Sequence, residues 1–196
     1  MFTALLDTNV LWPSLQRDAL LSFAIEGIYR PVWSSAILAE LEYHEEKKLT
    51  RRGVDPADAR QRAARLVDTM RTAFDDAQVE GWESLEGSYG LPDPDDEHVV
   101  AAAVVGGAGV IVTSNLQDFP PPLVPSSLDI QSPAVFAHHT VSLNPVAALR
   151  ALEKIARRSG RHGPVFEVPA LLDTLEHRYE FVDAVAIIRD TMPAKG

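Results

Sequence analysis

At 196 residues the chain has the length of one ordinary domain with room for a smaller appended unit, enough to bury a sizeable core. Its 46% hydrophobic and 23% charged residues exclude a disordered, collagen-like or coiled-coil chain, and the absence of cysteine excludes disulfides, thiolate metal sites and a cysteine nucleophile. Eighteen basic against 28 acidic residues give a net charge of −10, the reverse of a protein that coats nucleic acid, although carboxylates gathered around a divalent cation invert the field that a phosphate meets.

Phe2 to Leu6 is a short apolar run ending at Asp7, the pattern of a buried strand that delivers a carboxylate from its C-terminal end. Ser14 to Glu26 carries a broad helical apolar stripe. Ile28 to Trp33 reads as a second strand, and Ser34 and Ser35 cap a helix whose buried face is Ile37, Leu38 and Leu41 and whose end is marked by Lys47 and Lys48. Asp55 with Pro56 opens a third helix to about Phe74, with Arg60, Arg62 and Arg65 on its solvated side. The stretch from Val79 to Leu91 reads as a connection with room for one short strand. Pro94 and its acidic neighbours then start a helix that is apolar all round from Val99 to Val105 and stops at Gly106 and Gly107. Val110 to Thr113 is a further strand. Strands alternating with helices predict βαβ units and a mainly parallel sheet.

Pro120, Pro121, Pro122 and Pro125 break regular structure after Asp118 and place the domain boundary there, giving an α/β domain over 1–128 and an all-helical C-terminal module over 129–196. Within that module Ser132 with Pro133 and Asn144 with Pro145 cap two helices, the second running to about Arg158, and a polar break from Ser159 to Gly163 precedes a final helical pair. No run reaches the ~18 apolar residues of a membrane span, and the first residues lack a basic leader region, so the expectation is a cytoplasmic protein without a membrane partner.

In an open parallel sheet the ends following the strands share one edge, so Asp7 and Asp118 should converge there with the acidic helix start at Asp93, Asp95 and Asp96. Such carboxylates raise one another's pKa unless cations join them, and oxygen-only ligation suits magnesium or manganese. Each acid also has a plainer role: a turn or cap for Asp7, a helix-terminus charge for Asp93, Asp95 and Asp96, a solvated helix face for Glu40, a loop acid for Asp118.

Together LLDTNV at 5–10, SSAILAELE at 34–42 and DPDDEHVVAAAVVGGAGVIVTSNLQDFP at 93–120 resemble the PIN-domain nucleases, specifically the VapC-type toxins of bacterial toxin–antitoxin pairs, over residues 1 to about 130. The resemblance implies a three-layer α/β/α sandwich, here with a helical C-terminal extension, and a ribonuclease dependent on magnesium or manganese. It makes Asp7 the first acid, Glu40 the second and Asp96 the third, with Asp93 an accessory or rival. Many members carry an aspartate two residues after the threonine, where this chain has Asn115; Asp118 is the candidate to replace it. The expected metal ligands are Asp7, Asp96, Asp118 and Asp93, with Glu40 orienting or deprotonating the attacking water and Asn9 supporting Asp7. The resemblance also implies an RNA substrate, a small antitoxin partner and a homodimer.

His98, two residues past Asp96, is the nearest candidate for a proton carrier but reads first as a packing or surface residue, and His138 with His139 reads as a helix end. Lys47, Lys48, Arg51 and Arg52 form one basic cluster, and Arg150, Lys154, Arg157, Arg158 and Arg161 another; either suits a phosphate backbone or is a solvated helix face. Trp12 and Trp33 read as core or interface residues. A dehalogenase-type phosphatase fits poorly, because Asn9 stands where its second acid belongs, and a receiver-like phosphoacceptor lacks its lysine. The other reading is a catalytically weakened PIN-like binding module, with Asn115 as the sign of weakening.

Overall fold

The computed structural model describes residues 1–160 and 165–193, so Arg161, His162 and Gly163 of the sequence reading lie outside the described residues. The residues gather into two compact units. The first comprises Phe2–Trp12 and Pro31–Gln131 and holds a five-stranded sheet in the order β3-β2-β1-β4-β5. Its strands are β1 (Thr3–Leu6), β2 (Arg30–Ser34), β3 (Gln78–Val79), β4 (Val110–Val112) and β5 (Asp129–Gln131). β1 pairs in parallel with β4, Leu5 opposite Ile111, and β4 in parallel with β5, Ile111 opposite Ile130. β2 and β3 are also parallel, with Trp33 opposite Gln78. Leu5, Leu6, Ile111 and Val112 are fully buried, as strands covered on both faces require.

The helices of this unit start where the caps place them. α1 (Thr8–Leu11) is a single turn whose N-cap is Asp7. α3 (Ser35–Arg51), which follows α2 (Ser14–Ile25) in the chain, is capped by the Ser34 hydroxyl accepting the Ile37 N–H, and it runs one turn past Lys47 and Lys48. α4 (Pro56–Ala73) is capped by Asp55 and packs along α3. A 3₁₀ turn at Pro94–Asp96 leads into α5 (Glu97–Val105), of which Glu97 to Ala103 is buried. The helix stops because Gly107 takes a left-handed φ of 64° and Gly106 lies so close to Val79 that a Cβ would approach its Cγ2 to 2.7 Å.

The order of the strands matters for function. The chain moves from β1 outward through β2 to β3, then returns to the other side of β1 for β4 and β5, so the direction of winding reverses between β1 and β4. In open α/β sheets such a reversal opens a crevice at the C-terminal ends of the strands, and there ligands bind.

The second unit comprises Pro13–Arg30 and the chain from Ser132 on. It contains α2, α6 (Pro133–Leu143), α7 (Pro145–Arg158), α8 (Val168–Tyr179) and α9 (Val182–Thr191). α2 packs along α7, and α9 along α6, α7 and α8. The sequence reading divides the chain near 128 into contiguous pieces; in the structure residues 129–131 form the edge strand β5, and α2 groups with the C-terminal helices. Among the described residues no helix is long and apolar enough to cross a membrane.

Candidate active site

Asp7 stands at the C-terminal end of β1, next to the reversal point. It is 4% exposed, and its backbone N–H donates to the Val112 carbonyl, which ties it to the end of β4. Its Oδ1 accepts the N–H of Thr8, the first residue of α1, at 2.6 Å, and its Oδ2 accepts the Thr113 hydroxyl at 2.7 Å and the Asn9 amide at 2.5 Å. Asn9 thus supplies the support expected of it. Its Oδ1 also accepts the Ser114 N–H, and its amide reaches Thr113 Oγ1 at 3.0 Å. Burial pushes the Asp7 carboxyl up, and the bonds from Thr113 and Thr8 pull it back only in part.

Asp96 and Asp93 look alike in the sequence and differ in the structure. Asp93 is exposed and spends Oδ1 on the Asp95 N–H, capping the 3₁₀ turn. Asp96 stands at the N-cap position of α5 but makes no capping bond, which leaves its carboxyl for other work. Burial, then the neighbouring charges of Asp7, Asp118 and Asp93, push it up to about 6. Asp118 ends a 3₁₀ turn, Leu116–Asp118, whose first carbonyl is that of Asn115, and it is half-buried. Asn115 is exposed and only its N–H reaches inward, to Thr113 Oγ1. The acid that shares a field with Asp96 is therefore Asp118. Asp95 is exposed and stays a helix-terminus charge.

Glu40 lies on α3 and is fixed at both oxygens. Thr8 Oγ1 donates to Oε2 at 2.6 Å, and Oε1 lies 3.1 Å from His98 Nε2. Partial burial pushes Glu40 up, but these two partners outweigh it and hold the carboxyl below its ordinary range. For His98 burial pushes the imidazole down and the contact with Glu40 pushes it up, the second prevailing. His98 is buried, with its ring 5.9 Å from that of Trp82, so it is a packed residue that also orients an acid of the site. The sequence reading missed that second role and that of Thr8; the signal was their spacing, one residue after Asp7 and two after Asp96.

Glu97 was also missed. Its buried carboxylate accepts the N–H groups of Tyr89 and Leu91, each at 2.9 Å, and so clamps the loop that delivers Asp93 and Asp96. Burial pushes it up, but the N–H groups of Leu91, Tyr89, Gly90 and Gly87 together hold it low.

The two basic clusters part company. In the tail, Arg150 and Lys154 both pair with the buried Glu26, Arg157 pairs with Glu153, and Arg158 donates to Ser22. These four cations are exposed, so the cluster is a solvated face whose contacts lie within the helical unit. Lys47, Arg51 and Arg52 of the other are exposed too. Trp33 is fully buried, whereas Trp12 is 39% exposed and meets His44 edge-on at 6.3 Å. His138 and His139 lie inside α6, which continues to Leu143.

Among the described residues no three His, Cys, Asp or Glu side chains stand in ready metal-binding geometry. The chemistry of the donors nevertheless fits a hard divalent cation: Asp7, Asp96 and Asp118 offer only oxygen, and Asp7 and Asp118 raise Asp96 by more than His98 lowers it. A family model for the PIN domain matches residues 3–117, more than half of the chain. Neither a search of curated proteins nor one of solved structures finds a match. PIN domains are usually nucleases and typically use divalent metals. The winding reversal beside β1, the acids at that edge and the matched span agree: this chain belongs to the PIN-domain family.

Proposed function

We propose that the chain is a metal-dependent endoribonuclease that hydrolyses RNA phosphodiester bonds, using magnesium or manganese, and that it is the VapC-type toxin of a toxin–antitoxin pair. The observation that carries the nuclease part of this reading is the gathering of Asp7, Asp96 and Asp118 in one field at the end of β1, with Asp7 and Asp96 inside the span that matches the PIN domain. Asp7, Asp96 and Asp118 would hold the cation, with Asp93 at the periphery. When bound, a divalent cation there supplies charge neutralisation to the phosphoryl oxygens and acidity to a coordinated water. Thr113 and Asn9 fix the rotamer of Asp7. Glu40, ionised at neutral pH and held by Thr8 and His98, orients the attacking water and accepts its proton. A small antitoxin and a second copy of the chain complete the proposed set of partners.

The test is cleavage of total RNA by purified, partner-free protein in magnesium, manganese or EDTA, beside Asp7→Asn and Asp96→Asn. Discrete cuts that need metal and vanish in both variants support the nuclease, and sequencing the ends identifies its target. A second reading, a weakened binding module, draws on the lack of a ready three-ligand group among the described residues. A folded wild type that cuts nothing in either metal decides for it.

A further inference from the structure

α3 carries more than Glu40. On a helix, positions three and four apart share a face, so Glu40, Tyr43, His44, Lys47, Lys48 and Arg51 form one stripe. At 1.5 Å per residue it runs about 16 Å from the acid site to the helix end. Its first half is aromatic. Tyr43 is 53% exposed, its ring meets that of His44 at 5.4 Å, and His44 in turn meets Trp12, which follows α1. Its second half is cationic. Lys47 Nζ lies 4.1 Å from the centre of the Tyr43 ring, and Lys48, paired with Glu45, sits over Trp12 at 5.7 Å. Arg51 is exposed and has no salt-bridge partner among the described residues.

Large exposed rings beside cations suit a single-stranded nucleic acid, because every base has a face to stack and every linkage a charge to neutralise. A protein partner of ordinary character would bury these rings but would leave Lys47 and Arg51 to be matched by acids of its own. The stripe is also continuous with Glu40, so a strand lying along it would deliver a phosphate to the acids. The α3 cations also differ from those of the tail in standing beside exposed rings, whereas Arg150 and Lys154 pair with Glu26 and Arg157 with Glu153.

From this juxtaposition we infer that the α3 stripe, with Trp12, is the binding track for single-stranded RNA next to the scissile bond: Tyr43 and Trp12 stack bases, Lys47 and Arg51 hold phosphates. The choice of RNA as occupant rests on the nuclease reading; the track itself rests on the rings and charges.

The experiment is fluorescence anisotropy of a labelled ten-nucleotide single-stranded RNA in EDTA, where no cutting occurs, across a salt series. Tyr43→Ala should weaken binding about tenfold while Tyr43→Phe stays within about twofold of wild type. Lys47→Ala should weaken binding and lower the salt slope by about one. Binding should quench tryptophan emission, a change reported by Trp12 because Trp33 and Trp82 are buried. Wild-type affinity in folded Tyr43→Ala and Lys47→Ala overturns the track, as does a wild type that binds no RNA. Unchanged RNA binding with an altered oligomeric state in these variants assigns the face to a second copy and overturns it too. Cleavage run in parallel separates the two readings. Metal-dependent cutting that the stripe variants leave intact sinks the track alone; binding that the variants weaken, with a wild type that binds but never cuts, sinks the nuclease and leaves the track.

Discussion

Asp96 has its pKa raised from 3.8 to about 6 by burial and by three neighbouring acids, and that sign has a consequence for stability. An acid whose folded pKa exceeds its unfolded value contributes stability that is fully present below the unfolded pKa and is lost as pH rises through the folded one. In EDTA the contribution of Asp96 to stability should therefore fall between about pH 4 and pH 7, so that the melting temperature of Asp96→Asn rises relative to wild type over that range. Magnesium should restore stability above pH 6, where the carboxylate is ionised and open to a cation. Identical pH profiles for wild type and Asp96→Asn would remove Asp96 from the acid cluster. Thr113 makes a second residue-scale case. It is fully buried and its hydroxyl is one of two donors to Asp7 Oδ2, beside the Asn9 amide. Thr113→Val keeps the shape and deletes the donor, so chemical denaturation should show a loss of about 1–3 kcal/mol. Cleavage should fall with it, because Asp7 loses its fixed rotamer, and Thr113→Ser should recover most of both.

At the scale of elements, the loop before α5 is held by one side chain. Glu97 accepts two backbone N–H groups at 2.9 Å while buried, and charge-assisted bonds of this kind are the strong ones. Glu97→Gln should cost about 2 kcal/mol. Hydrogen exchange should speed up at the Tyr89 and Leu91 amides while the α3 amides keep their protection; uniform protection across the loop would show that it is held by something else. The helices themselves were legible because their starts are local chemistry: Ser34, Asp55 with Pro56, Ser132 with Pro133 and Asn144 with Pro145 each cap the helix that the sequence assigns to them. β5 was not, since Asp129, Ile130 and Gln131 form no apolar run like that of the equally short β4, and the two residues of β3 offered no more than room for a short strand. The acids were legible as a group from the strand ends. Their division of labour was not, because Asp93 and Asp96 differ only in which one caps the turn, and the link between His98 and Glu40 spans 58 positions.

At the scale of the molecule, the grouping of α2 with the C-terminal helices changes what a truncation should do. The proline run after Asp118 invites a cut near residue 131, and a reading by chain order would expect residues 1–131 to fold alone. Contacts say otherwise. α2 packs along α7, its Phe23 and Leu20 are buried, and Glu26, with a side chain only 7% exposed, depends on Arg150 and Lys154. Lys154 is the main cause of the lowered Glu26 pKa, and removing both cations leaves a carboxylate without its partners. Residues 1–131 expressed alone should therefore be largely insoluble or lack a cooperative melt, although they contain every strand and all the acids of the site. Adding 132–193 back as a separate chain should recover soluble material through α2. A soluble, cooperatively melting 1–131 fragment would show that α2 does not need the helices it packs against, and would make the helical unit a dispensable addition to the PIN domain.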